Sequence, residues 1–172
     1  MKKLAAILSN KQPNAITYCL LAEDYFRCAE SLESSLTGGK LNLRFDNSIE
    51  HNVGIAYELV FKAWLLADGK TPTELKKLGH DLMILRDAVV KSGFPIHEKY
   101  LEKEWAKNSS NSSLPIFAGW LERLNAKFGP LSYRTRYPQS GLEPQYNLKF
   151  LIWSGLKFVG AVAPKCNKVF IP

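Results

Sequence analysis

Between residues 47 and 92 the chain carries a hydrophobic period that a helix satisfies and a strand does not. Ile49, Val53, Tyr57, Val60, Trp64 and Ala67 recur every three or four residues, which places them on one buried helical face. Asn47 and Ser48 are candidate caps for its start, and Gly69 stands where a left-handed turn would end it. After a short loop, Gly79-His80-Asp81-Leu82 opens a second helix with apolar positions Leu82, Leu85, Ala88 and Val89, closed by Gly93. Asp81 or His80 can accept from the free N–H groups at that start, where a carboxylate also suits the helix dipole. A central helical hairpin is therefore expected.

The flanks continue the helical pattern. Residues 14–36 repeat Ile16, Leu20, Leu21, Tyr25, Cys28, Leu32 and Leu36 opposite Glu23, Arg27, Glu30 and Glu33, and Gly38-Gly39 ends that helix. Tyr100, Leu101 and Trp105, set among charges, predict a short, partly exposed helix. Residues 108–113 read as a polar flexible linker. Beyond it an amphipathic helix holds Ile116, Phe117, Trp120, Leu121, Leu124 and Phe128, with Ser113 as a cap and Gly129-Pro130 as its stop. The last helix, about 144–162, is apolar nearly all round, which suits the centre of a bundle or a dimer interface. Residues 1–13 are expected to be an arm and 163–172 a tail. The fold class expected is all-α, a single up-and-down bundle of about five helices spanning residues 1–172, with self-association as a homodimer.

Composition narrows the function classes. With 46% apolar and 23% charged residues in 172, the chain has the make-up of an ordinary globular domain, long enough to bury about 70% of its unfolded surface. Lys149 and Lys157 interrupt the last helix, so no membrane span is expected. The apolar run Leu4–Leu8 is too short for a signal peptide. Three cysteines without metal-ligand spacing predict reduced thiols, a cytoplasmic location, and neither metal nor cofactor. The net charge of +7 is uneven: residues 1–113 hold fifteen Lys/Arg against fourteen Asp/Glu, and residues 114–172 hold eight against two. A basic C-terminal third can attract phosphate backbones or an acidic partner protein, or serve solubility alone.

Glu58-Leu-Val-Phe-Lys62-Ala63, then Gly79-His80-Asp81-Leu82, then Arg136-Tyr137-Pro138, with a long first helix ahead of them, resemble in order and spacing the HEPN superfamily of small helical domains. The resemblance spans about residues 14–162. It implies a helical bundle linked to nucleotides or RNA. Part of that family cuts RNA without a metal, through an Arg-(four to six residues)-His motif in a dimer; another part lacks the motif and binds.

Candidate site residues follow. Arg44 and His51 have the cleaving spacing, and Arg could hold a phosphate while His moves a proton. The pair precedes Glu58, however, and Arg44 is expected to lie ahead of the helix. His51, Glu58 and Lys62 share one line of the first central helix, with Glu58 and Lys62 an i,i+4 ion pair. His80 and Asp81 are expected to cap their helix and to hydrogen-bond toward that line. In Tyr133-Arg134-Thr135-Arg136-Tyr137-Pro138, Arg134, Arg136 and Tyr137 can bind phosphate and stack a base. Alternatively, Arg136 staples the loop to Glu58 or Asp81. The sequence thus points to a HEPN-like domain binding nucleotide or RNA, with Glu58, Lys62, His80, Asp81, Arg134, Arg136 and Tyr137 as ligand residues. A metal-independent endoribonuclease of toxin or phage-defence type and a basic protein-interaction module are the alternatives.

Overall fold

The computed structural model describes residues 14–37, 46–95, 97–108, 116–128 and 147–168. Among these residues it has seven α-helices and no strand: α1 Ala15–Thr37, α2 Asp46–Ala67, α3 Pro72–Leu78, α4 Leu82–Lys91, α5 Glu98–Asn108, α6 Phe117–Phe128 and α7 Leu148–Lys168. The all-α expectation is met. The number exceeds the expected count of about five; the supposed loop after Gly69 contains α3, and the short helix expected around Leu101 is α5. Among the described residues no helix is long and apolar enough to cross a membrane. The expected arm, the linker beyond Asn108 and the loop through Arg134 lie outside the described residues.

α1, α2 and α7 pack on one another and form the core. Their register follows from contacts. Phe26 meets Tyr57 edge-on at 5.1 Å, and Asn52 donates to the Cys28 sulfur, so α1 and α2 are antiparallel. Tyr57 donates its hydroxyl to the Leu151 carbonyl at 2.7 Å, and Lys165 pairs with Asp68 near the far end, so α2 and α7 run parallel. Ile49, Val53, Tyr57, Val60 and Trp64 are all buried, as their spacing predicts, and Phe150, Leu151, Phe158, Val159 and Val162 of α7 join them. The apolar faces of α7 are thus largely spent inside the chain, which accounts for a helix apolar nearly all round. Exposed large apolar residues, Leu20, Leu21, Ile84, Val90, Tyr100 and Ile116, are spread over α1, α4, α5 and the start of α6.

The ends of the helices show where local chemistry decides. Asn14 Oδ1 accepts from Thr17 N–H at 2.9 Å and caps α1. α2 begins at Asp46, so Asn47 and Ser48 lie inside its first turn and are not its caps. Gly69, at φ +97°, closes it as expected, with the Lys70 N–H returning to the Leu65 carbonyl. Thr71-Pro-Thr-Glu74 is a reciprocal capping box with proline in the first turn of α3. At the start of α6 the Phe117 N–H donates to Glu102 Oε1 of α5 at 2.8 Å. α7 starts at Leu148 behind an Asn147 cap and runs through Pro164 to Lys168, so residues 163–168 of the expected tail are helical. Proline removes one ladder bond there. The turn beyond it is held by buried Cys166 and by Lys165, which pairs with Asp68 and lies 3.9 Å from the Trp64 ring centre.

The central hairpin needs correction. His80 contacts Glu58, and twelve residues later Ser92 accepts from the Trp64 indole N–H at 2.7 Å. The two contacts advance in the same direction, so α4 runs alongside α2 in the same sense, and α3 is the return limb. α6 completes that side: Phe117 packs on Tyr57 at 5.7 Å while Lys127 reaches Glu50 at 3.0 Å, making α6 antiparallel to α2.

Candidate functional site

Glu58 and Lys62 face out of the α2 core toward the α3–α4 connection. One turn apart on a helix, their side chains meet by geometry alone, and Lys62 Nζ donates to Glu58 Oε1 at 2.6 Å. Both residues are only 9% exposed, so this is a desolvated pair, unlike the exposed surface pair that the spacing alone suggests. His80 adds a third member: its Nδ1 lies 2.8 Å from the same Glu58 Oε1. A carboxylate oxygen accepts, so Nδ1 carries the proton and Nε2 is the ring nitrogen left for a ligand. Gly79, at φ +69°, lets the chain turn between α3 and α4 and sets His80 there.

Beside this cluster opens a cleft of about 560 Å³, lined by Tyr18 of α1, Lys62 of α2, Pro72, Thr73, Leu75 and Lys76 of α3, then Gly79 and His80. The size falls in the range of small-molecule sites, roughly 300–1,000 Å³. Lys76 is exposed and, among the described residues, has no carboxylate at ion-pair distance. The Glu58 charge offsets one of the two lysines, leaving the group at +1, or +2 with His80 protonated. An aromatic ring, a threonine and an apolar floor under net positive charge suit an anion that carries a flat organic body.

Asp81 belongs to a different construction. Its Oδ1 accepts from Met83 and Ile84 N–H at 2.9 and 3.0 Å, capping α4, and also from Asn125 Nδ2 at 3.2 Å. Asn125 Oδ1 in turn takes the Leu82 N–H at 2.8 Å. The carboxylate is therefore occupied by the start of α4 and by α6. The expected cap at the start of α4 is present, and Asp81 is not among the residues that line the cleft.

His51 lies on α2 seven residues before Glu58, about 10.5 Å along the axis, and does not join the cluster. Arg44, Arg134, Arg136 and Tyr137 lie outside the described residues. Of the sequence-derived ligand residues, Glu58, Lys62 and His80 come together. Tyr18, Thr73 and Lys76 were missed. The signal for the last two was the Thr71-x-x-Glu74 capping box, which marks a helix where a loop was expected and sets Thr73 and Lys76 three residues apart on one face. Tyr18 reads from sequence only as one of the apolar residues near the start of α1.

The chain matches no protein-family model, no curated protein and no solved structure.

Proposed function

We propose that this chain is a HEPN-like helical domain that binds nucleotide or RNA through the cleft between α1, α2 and α3. The observation that carries the reading is the meeting of Lys62, Lys76 and His80 with Tyr18 around one opening. The cations take a phosphate, His80 in its protonated form adds an Nε2–H donor, and the Tyr18 ring offers a stacking face for a base. Binding is favoured over cleavage because in-line cleavage uses a proton acceptor and a proton donor on opposite sides of the phosphate. Among the described residues the cluster holds one imidazole, and His51 is two turns away. The resemblance of the Glu58–Ala63 and Gly79–Leu82 segments to the HEPN superfamily supports the same reading.

The test is fluorescence anisotropy with a labelled single-stranded RNA at two salt concentrations, on the parent chain and Lys76→Ala. Binding should weaken steeply with salt, and the variant should bind less tightly with a salt slope shallower by about one. The same RNA incubated in EDTA should stay intact. Absence of binding at low salt contradicts the proposal, and cutting in EDTA replaces it with the ribonuclease reading.

A further inference from the structure

We infer that the cleft selects a phosphate monoester, entering end-on: a free mononucleotide or the terminal phosphate of an RNA strand, in preference to phosphodiesters within a strand. This rests on the nucleotide-binding reading above and adds which phosphate is bound. The first reason is depth. The Lys62 side chain is 11% exposed and is held against Glu58 Oε1, at a cleft lined by Tyr18 and α3, so an anion that reaches it passes between those walls. A diester inside a strand carries chain on both sides and would have to draw both into the opening. A monoester has one substituent, which can trail outward past Tyr18.

The second reason is charge. A phosphate monoester carries about −1.5 to −2 at pH 7, with its second ionisation near pH 6, whereas a diester carries −1. Lys62 and Lys76 approach from α2 and α3, and His80 from the α3–α4 turn. Among the described residues, the carboxylate contacting this set is Glu58, which already shares one oxygen between Lys62 and His80. A dianion can engage Lys62, Lys76 and the Nε2–H of a protonated His80 together, since the Lys62 ammonium has three N–H donors and gives one to Glu58. A diester meets the same cations with one charge spread over two non-bridging oxygens, and so gains less from them.

The experiment uses the full chain and four probes: a ten-nucleotide RNA with a 5′-phosphate, the same RNA with a 5′-hydroxyl, adenosine 5′-monophosphate and adenosine. The phosphorylated RNA should bind about tenfold more tightly than the hydroxyl form, and the monophosphate should compete while adenosine does not. The preference should disappear in Lys76→Ala and in His80→Gln, two exposed positions whose folding is checked by circular dichroism. Competition by the monophosphate with no binding of either RNA also supports the inference and assigns the site to free nucleotide. Equal binding of the two RNAs overturns the inference while leaving RNA binding intact. No binding of any probe overturns both. A 5′-phosphate preference that survives in both variants places the monoester site elsewhere and overturns it as well.

Discussion

The ring of Phe26 on α1 occupies the space that a side chain at Gly155 on α7 would need: a Cβ placed there would lie 2.1 Å from Phe26 Cζ. Phe26 is fully buried and meets Tyr57 edge-on, so it has no open side to move into. Gly155→Ala should therefore destabilise the chain by about 1–3 kcal/mol or more, although alanine is the better helix former. Phe26→Ala alone should cost about 3–5 kcal/mol. In that background Gly155→Ala should become nearly neutral, the two changes being strongly coupled. Urea unfolding of the four proteins checks this; additive losses would show that α1 and α7 are not in this register.

Tyr57 carries a buried polar link in the same core. Its hydroxyl donates to the Leu151 carbonyl and lies 2.8 Å from Ser154 Oγ. Burial pushes its phenol far above the ordinary value, against a smaller lowering by the Ser154 hydrogen bond. The folded group keeps its proton where an unfolded tyrosine releases it, so its contribution is fully present below about pH 10 and falls as pH rises further, by about 1.4 kcal/mol per unit. Tyr57→Phe should cost about 1–3 kcal/mol at neutral pH and should flatten this alkaline loss relative to the parent chain. Parallel slopes above pH 10 would mean that the phenol is reached by solvent.

The three cysteines report on the α1–α7 contact. Cys19 and Cys166 are buried, with the Cys19 thiol directed at the Val159 carbonyl of α7 at 4.0 Å and the Cys166 thiol at the Ala63 carbonyl of α2 at 3.9 Å; Cys28 is exposed. The neighbouring Cys19 thiol and then burial push the Cys166 thiol up, which keeps it unreactive. A thiol reagent should label one site quickly in the native chain, Cys28, and reach all three in denaturant. Rapid native labelling of two or three sites would contradict the docking of α1 on α7.

Asp81 ties the start of α4 to Asn125 of α6. Asp81→Ala removes the α4 cap and the Asn125 contact, and should cost about 1–2 kcal/mol while RNA affinity stays within twofold. A large loss of affinity in a stable variant would return Asp81 to the site.

Much of the core was legible because helical periodicity reports burial directly: Ile49, Val53, Tyr57, Val60 and Trp64 each sit where their spacing placed them. The Glu58–Lys62 pair was legible too, since adjacency one turn apart is local. Its burial was not, because that depends on α3 and on the His80 turn closing over it. The direction of α4 was also hidden: a seven-residue helix was read as loop, and a loop implies a hairpin where a helix supplies a return limb. Asn125 and Lys127 illustrate the remaining limit. Their partners Asp81 and Glu50 are 44 and 77 residues away in sequence, and no local pattern connects them. The expectation of a dimer came from the apolar surface of the last helix and the tail; that of α7 is largely buried inside the chain, and residues 169–172 of the tail lie outside the described residues.

Binding at the Lys62–Lys76–His80 cleft is tested most directly by amide chemical-shift mapping during titration with adenosine 5′-monophosphate and with a short 5′-phosphorylated RNA. Shifts should concentrate on Thr73, Lys76, Gly79, His80 and Tyr18, and should saturate together. Shifts confined to other surfaces, or no shifts at millimolar ligand, would contradict a nucleotide site in this cleft.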